Sequence, residues 1–143
     1  MVHVNGQTFG SAIGKGKIYY FRSSKLVSTK QPHYFIVIAN PSDDLIIFTC
    51  CTSQFEKRAR FIELNKIPLS TLVWIKPDDE NGLKIDTYVD CNSFFQFSKA
   101  ELIQMYELNE IDFIGRISDS KLEEIRHGIL DSPLIVNEIK GLI

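Results

Sequence analysis

Side chains suited to acid–base chemistry stand at both ends of the most apolar part of the sequence. His33 precedes this part, and Thr52, Ser53 and Gln54 follow it. Imidazole takes up and releases protons near neutral pH, so His33 can serve as an acid or a base. Whether His33 meets the hydroxyl groups of Thr52 and Ser53 depends on how the chain between them folds.

The chain between these residues has the pattern of a β-hairpin. Residues 34–39 and 45–51 are two apolar runs, rich in β-branched and aromatic side chains and short enough to be strands. The spacer Asn40-Pro-Ser-Asp-Asp44 favours a turn, which would bring His33 and Thr52 to one end of the hairpin. Both strands are apolar on both faces, so we expect protein to cover both sides. The expected core residues, each worth about 1.5–3 kcal/mol on burial, are Ile36, Ile38, Ile46 and Phe48.

Length and composition indicate a globular chain of one domain, residues 1–143. The 143 residues are 44% hydrophobic and 24% charged, with a formal net charge of −2. This charge gives no global attraction for nucleic acid, so contact with RNA would need a local basic patch. The apolar runs end far short of the roughly 20 residues that span a bilayer, and no signal peptide is recognisable. We therefore expect a cytoplasmic protein with no membrane partner.

The remaining segments predict mostly short strands. Strands are expected at 17–22, 61–64, 69–75, 85–91 and 111–117. Capping-box patterns at Ser98-Lys-Ala-Glu101 and Ser120-Lys-Leu-Glu123 predict two helices, the second of them amphipathic and ending before Pro133. Residues 1–16 are expected to be a flexible N-terminal arm, 17–131 a barrel with helices, and 132–143 a C-terminal tail.

Several familiar site chemistries are excluded by spacing. Cys50, Cys51 and Cys91 suit buried thiols in a reducing compartment better than a disulfide framework. The three histidines lie at no spacing that would complete a metal site with these cysteines, so neither a metal nor a cofactor is expected. The stretch from Gly10 to Gly16 lacks the spacing and the Ser or Thr of a phosphate-binding loop.

The order of several short motifs resembles a known family. These motifs, spread over about residues 17–131, are His33-Tyr-Phe-Ile-Val-Ile-Ala-Asn40, Phe48-Thr-Cys-Cys-Thr-Ser-Gln54, Tyr88-Val-Asp-Cys-Asn-Ser93, Gly115-Arg-Ile-Ser118 and the helix at 121–130. In this order they resemble the MazF/PemK toxins of bacterial toxin–antitoxin systems.

The resemblance implies a mainly β fold, a small SH3-like barrel of the MazF/PemK/CcdB type with a C-terminal amphipathic helix and a second short helix. It also implies a metal-independent endoribonuclease that cleaves single-stranded RNA, is neutralised by an antitoxin protein and forms a homodimer.

The resemblance further implies where the site lies. Family members use an arginine at the start of the second strand and a threonine at the end of the third. Thr52 matches the threonine, whereas the arginine position falls on Tyr34, or on His33 if the register slips by one. Tyrosine supplies no permanent charge to a phosphate. The candidate catalytic residues are therefore Thr52 and His33, and the candidate substrate-binding residues are Lys30, Tyr34, Ser53, Gln54, Arg58 and Arg60.

Each of these assignments has a structural alternative. His33 can be a surface residue at a strand edge, Thr52 can cap a turn, and the cations at 57–60 can be a solvated turn. Phe94, Phe95 and Phe97 can be a stacking platform for unpaired bases or part of a core or interface.

The function has an alternative as well. The missing arginine favours a non-catalytic SH3-like barrel that binds protein or nucleic acid, including a toxin of the gyrase-poison type. Homodimerisation is expected because Phe94, Phe95, Trp74 and the amphipathic helix exceed what one small core can bury.

Overall fold

A computed structural model describes residues 4–23, 25 and 31–143 of the chain. Within these residues the protein is mainly β, with six strands and five α-helices. The strands are β1 Lys17–Phe21, β2 His33–Ser42, β3 Leu45–Thr52, β4 Leu72–Ile75, β5 Thr87–Phe97 and β6 Ile111–Arg116. The helices are α1 Gly6–Ser11, α2 Phe55–Leu64, α3 Lys99–Glu107, α4 Asp119–Asp131 and α5 Asn137–Lys140, and a 3-10 turn, Leu69–Thr71, precedes β4.

The described strands form one antiparallel sheet in the order β4-β5-β3-β2-β1-β6. The predicted hairpin is confirmed as β2 and β3, with Phe35 opposite Cys50 at its centre. The pairing register shifts on both sides of Ala39, and Pro41, which has no N–H to donate, lies in this irregular stretch. The hairpin therefore occupies the middle of the sheet, with neighbours on both sides.

One face of the sheet carries an aliphatic core. Ile36 and Ile38 of β2 are buried there together with Ile125 and Ile129 of α4 and Ile139 of α5. The opposite face carries an aromatic core that is described next. Helices thus cover both faces of the hairpin, as its two-sided apolar pattern predicts.

The opposite face is packed with phenylalanine rings. The rings of Phe21 and Phe35 stack with centroids 4.2 Å apart, and Phe48 meets Phe97 edge-on at 5.5 Å. Leu102 of α3 is buried in the same cluster. The Ser98–Glu101 capping box of α3 is confirmed, and it directs this helix onto the aromatic face.

The two ends of the chain are more ordered than the sequence predicts. In the described part of segment 1–16, α1 replaces the expected flexible arm, and the Asn5 side chain caps it by accepting a hydrogen bond from the Thr8 N–H at 2.8 Å. Phe9 stacks on Tyr106 of α3 with centroids 4.2 Å apart. At the other end, the predicted tail contains α5.

Two predicted elements differ from the structure. The predicted strand at 61–64 is wrong, because these residues form the last part of α2. The residues before it, Phe55-Glu-Lys-Arg-Ala-Arg60, include strong helix formers that allow the helix to start early. The cap of helix α4 lies two residues before the predicted one, since Ser118 rather than Ser120 accepts the hydrogen bond from the Lys121 N–H.

The loop that follows β4, at one edge of the sheet, reaches β6 at the other edge. The buried Asn81 side chain organises it by accepting hydrogen bonds from the N–H groups of Asp78 and Leu83, at 3.1 and 2.9 Å. The Arg116 N–H of β6 donates to the Glu80 carbonyl at 2.9 Å. The sheet is therefore curved, but its described strands leave it open between β4 and β6, so a closed barrel is not shown.

No helix in the described part of the chain combines the length and the apolar character needed to cross a membrane.

The close approach of α4 to β5 and to the 3-10 turn at Gly128 predicts a stability effect. A Cβ added at Gly128 of α4 would lie 2.7 Å from the Ser70 carbonyl oxygen and 2.8 Å from the Cys91 sulfur, whereas one added at Gly14 meets nothing within 4 Å. We expect Gly128→Ala to lower the free energy of unfolding by about 1–3 kcal/mol through overpacking. Gly14→Ala, the matched control, should leave it unchanged or slightly raised. Urea denaturation measures both, and equal midpoints would contradict the close packing of α4.

Candidate functional site

A cleft of about 570 Å³ opens where β2 begins and β3 ends. Four parts of the fold supply its walls: the start of β2, the end of β3 with the first turn of α2, the middle of β5, and one residue of β1. The lining residues used below are Tyr20, His33, Tyr34, Cys50, Thr52, Ser53, Gln54, Lys57, Arg58, Asp90, Ser93 and Phe95.

The cleft brings the predicted acid–base residue and the predicted threonine to one place. Thr52 lies opposite Tyr88 of β5, and directly opposed residues of antiparallel strands project to the same face. On the other side of β3, the pairing with β2 ends at Phe35 and Cys50, two residues before His33 and Thr52 are reached. His33 and Thr52 both line the cleft that opens there.

Thr52 also turns the chain from β3 into α2. Its hydroxyl oxygen accepts a hydrogen bond from the Gln54 N–H at 3.0 Å, which is the turn-capping role expected as the structural alternative. This bond uses the oxygen as acceptor, so it does not engage the hydroxyl hydrogen. Helix α2 then starts at Phe55, and its first turns direct Lys57 and Arg58 to the cleft.

The His33 ring is oriented by the chain just before it. Its Nδ1 atom lies 3.0 Å from the Gln31 carbonyl oxygen. A carbonyl only accepts hydrogen bonds, so Nδ1 carries the hydrogen in this contact. In the neutral ring the Nε2 atom is then the one able to accept a proton.

Arg58 forms an ion pair at the floor of the cleft. Its Nη1 atom is 3.6 Å from Oδ2 of Asp90, an aspartate whose side chain is only 13% exposed. The distance exceeds that of a hydrogen bond, so the attraction is mainly electrostatic. The Arg58 side chain remains 42% exposed, and its guanidinium group has further N–H groups that can meet an anion.

A buried polar network holds Asp90 in place. The other carboxylate oxygen, Oδ1, accepts from the backbone N–H and the side-chain amide of Asn92, at 3.0 and 3.1 Å. The Asn92 amide also donates to the Thr71 hydroxyl at 2.9 Å, and the Ser132 hydroxyl donates to the Asn92 carbonyl oxygen at 2.7 Å. A satisfied network of this kind is rigid, so the carboxylate beside Arg58 is fixed.

Tyr34, which also lines the cleft, keeps its phenol neutral. Burial raises the pKa of Tyr34, and neighbouring Tyr20 and Cys51 raise it further. The Tyr20 and Tyr34 rings lie 4.7 Å apart. At neutral pH Tyr34 is therefore an uncharged hydrogen-bond donor at the rim of the cleft.

The cysteines near the cleft are unreactive thiols. Burial raises the pKa of Cys50 to about 12, and the Asp90 carboxylate adds to this, while Arg58 acts in the opposite direction. Burial also raises the pKa values of Cys51 and Cys91 well above the ordinary range. Since the thiolate is the nucleophilic form, none of the three is a candidate nucleophile at neutral pH.

The cleft brings together six of the eight predicted site residues. These are His33, Tyr34, Thr52, Ser53, Gln54 and Arg58. Arg60, predicted to bind substrate, is exposed on α2 and does not line the cleft. Lys30 lies outside the described residues. The sequence analysis did not assign Tyr20, Asp90 or Ser93 to the site.

Phe94, Phe95 and Phe97 are predicted either as a stacking platform or as part of a core, and the structure places them in different surroundings. Phe97 is buried among aromatic rings, and Phe94 packs against the aliphatic core. Only Phe95 lines the cleft, and its ring meets Phe35 edge-on at 5.6 Å. The triplet is therefore mainly structural.

Within the described residues, no group of three or more His, Cys, Asp or Glu side chains is placed to hold a metal ion.

No model of a known protein family matches this sequence, and no curated protein matches it. The cleft holds an imidazole, several hydroxyls and two cations, a set suited to proton transfer beside a bound anion.

The raised thiol pKa values predict slow alkylation. A group with a raised pKa stays protonated until the pH passes that value, so at pH 8 the three thiols should react with iodoacetamide far more slowly in the native protein than in urea. Mass spectrometry of the labelled chain measures the rates. Fast native labelling of Cys50 would show that the cleft is wetter and more open than the structure has it.

Proposed function

We propose that this protein is a MazF/PemK-like toxin that cleaves single-stranded RNA without a metal ion. The observation that supports the proposal is the meeting of His33, Thr52 and Arg58 in one cleft. They come from the start of β2, the end of β3 and α2, and RNA cleavage calls for the types of group they carry.

The chemistry is an internal transfer at phosphorus. A base takes the proton of a ribose 2′-hydroxyl, the 2′-oxygen bonds to the phosphorus, and the bond to the 5′-oxygen breaks. An acid protonates that leaving oxygen, so the products are a 2′,3′-cyclic phosphate and a 5′-hydroxyl end. His33 is proposed as the acid or the base of this reaction. Its Nδ1 is held by the Gln31 carbonyl, so it takes up or releases the proton through Nε2.

Charge and hydrogen-bond donors surround the phosphate. Arg58 takes the part that the family gives to an arginine on the second strand, because its guanidinium group is always charged and can hold two phosphate oxygens. The hydroxyls of Thr52 and Ser53, the Gln54 amide and the neutral phenol of Tyr34 are additional donors at the cleft.

The proposal extends to fold and partners. The curved sheet, whose edges are connected by the β4–β5 loop, is proposed as an open variant of the SH3-like barrel. The partners are single-stranded RNA, a neutralising antitoxin protein and a second copy of the chain, and the protein acts in the cytoplasm. The apolar surplus that predicted a dimer is smaller than expected, because Ile125 and Ile129 are buried within one chain, although Trp74 remains exposed.

A non-catalytic binding protein, including a toxin of the gyrase-poison type, is the second candidate. It is favoured by the two contacts that occupy the site: Thr52 caps a turn, and Arg58 is partly neutralised by Asp90. Both features suit a static surface as well as a catalytic one.

The first experiment asks for cleavage with excess chelator. We expect purified protein at about 1 µM to cut single-stranded RNA and to leave 5′-hydroxyl ends, which accept phosphate from a polynucleotide kinase. Arg58→Ala should lower the rate by about 10²–10³-fold, because one charged donor to the transition state is lost. Arg60→Ala is the matched control, with the same change of charge on the same helix outside the cleft.

The outcomes separate the two candidates. Intact RNA after hours, with nuclease controls active, would support the binding protein. Equal losses in Arg58→Ala and Arg60→Ala would mean that general positive charge, and not a positioned guanidinium group, drives the reaction.

A further inference from the structure

Two exposed aromatic side chains and a half-buried one lie beside the cleft. Trp74 of β4 lies opposite Tyr88 of β5, and the Phe55 ring at the start of α2 is 4.8 Å from the Tyr88 ring. Trp74 is 48% exposed and Phe55 is 41% exposed. Since Tyr88 also lies opposite Thr52, which lines the cleft, these rings continue from the cleft across the sheet. We call Phe55, Trp74 and Tyr88 the aromatic row.

The surface around the aromatic row continues from the cleft. A second, shallower groove contains two of its rings, Phe55 and Tyr88. Four residues line both the cleft and this groove, so a chain bound in one passes directly into the other. The shared residues are Ser53, Gln54, Lys57 and Ile85.

The charges of the two regions differ. The cleft has the cations Lys57 and Arg58 and the carboxylate of Asp90, whereas the groove shares Lys57 and adds the carboxylates of Glu56 and Asp86. Carboxylates repel phosphate but accept hydrogen bonds from the amino groups of nucleobases. A single strand crossing this surface is therefore expected to place a phosphate in the cleft and the neighbouring base over the groove.

We propose that the aromatic row is a base-stacking subsite for single-stranded nucleic acid, taking the nucleotide next to the phosphate held in the cleft. This inference rests on the proposed function for the position of that phosphate. Stacking on an aromatic ring suits any base, since each has a flat π-face. Base–ring stacking commonly changes affinity by about 5- to 150-fold per base.

The chain offers a direct reporter of this contact. Trp74 is its one tryptophan, so fluorescence excited at the red edge of the absorption band, where the five tyrosines absorb little, reports on the aromatic row. The probe is a single-stranded DNA hexamer, which has no 2′-hydroxyl and cannot be cut by the proposed reaction. An abasic hexamer with the same phosphates is its control.

We expect the base-carrying hexamer to quench Trp74 fluorescence in a saturable way, and the abasic hexamer to quench it weakly and to bind at least about fivefold less tightly. Phe55→Ala and Tyr88→Ala should each weaken hexamer binding by about fivefold or more, measured by anisotropy of a labelled strand. Phe113→Ala is the matched control, because Phe113 is exposed on β6 at the opposite edge of the sheet. Urea denaturation verifies that all three variants are folded.

Several results would overturn the inference. Equal affinity for the two hexamers, or no binding of either, excludes base stacking on this surface. A dimer in sedimentation that Trp74→Lys dissociates would assign the aromatic row to a second copy of the chain.

The inference and the proposed function can fail separately. If the hexamer quenches Trp74 but RNA stays intact, the subsite stands without the nuclease. If RNA is cut at an unchanged rate by Phe55→Ala and Tyr88→Ala, the nuclease stands without the subsite.

Discussion

The pairing of β2 with β3 is the interaction on which the rest of the structure depends. Both strands are apolar on both faces, and burial of side chains such as Ile36 and Phe48 stabilises the fold by about 1.5–3 kcal/mol each. Because both faces must be covered, α4 and α5 pack on one and α1 and α3 on the other. In a hairpin enclosed in this way, polar side chains that can contact a ligand lie at its ends.

The cleft follows from that constraint. At the end of the hairpin the apolar pattern stops, and the Thr52 turn directs the chain into α2, which brings Arg58 back over the sheet. The carboxylate that meets Arg58 is fixed from behind by Asn92, which links β5 to the 3-10 turn and to the residue after α4. The carboxylate that Arg58 meets is thus positioned by residues distant in the sequence.

The sequence predicts the parts of the fold that depend on local pattern. The hairpin, the Ser98 capping box and most of α4 follow from periodicity and caps. Helix α2 is missed because three of the four residues 61–64 are apolar, as in a short strand, and only Ile62 of this helix is buried. Phe9 gave no periodic signal, since its burial depends on Tyr106 of α3, far along the chain.

The residues of the candidate site fall into the same two groups, those that local sequence pattern predicts and those that only the tertiary fold brings to the cleft. His33 and Thr52 are brought together by a hairpin that the sequence predicts. Asp90 is missed because its partner Arg58 depends on the pairing of β3 with β5 and on the direction of α2, neither of which has a local signature. The exposure of Trp74 likewise results from the position of β4 at the edge of the sheet.

The central claim, that single-stranded RNA lies in the cleft at the end of the hairpin, is tested most directly by photo-cross-linking. An RNA that carries 4-thiouridine and 2′-O-methyl groups binds without being cut, and mass spectrometry locates the cross-linked peptides. The account predicts cross-links in residues 31–34, 52–58 and 85–90, which line the cleft and its groove. Cross-links confined to α4 and residues 132–143, on the other face of the sheet, would contradict it.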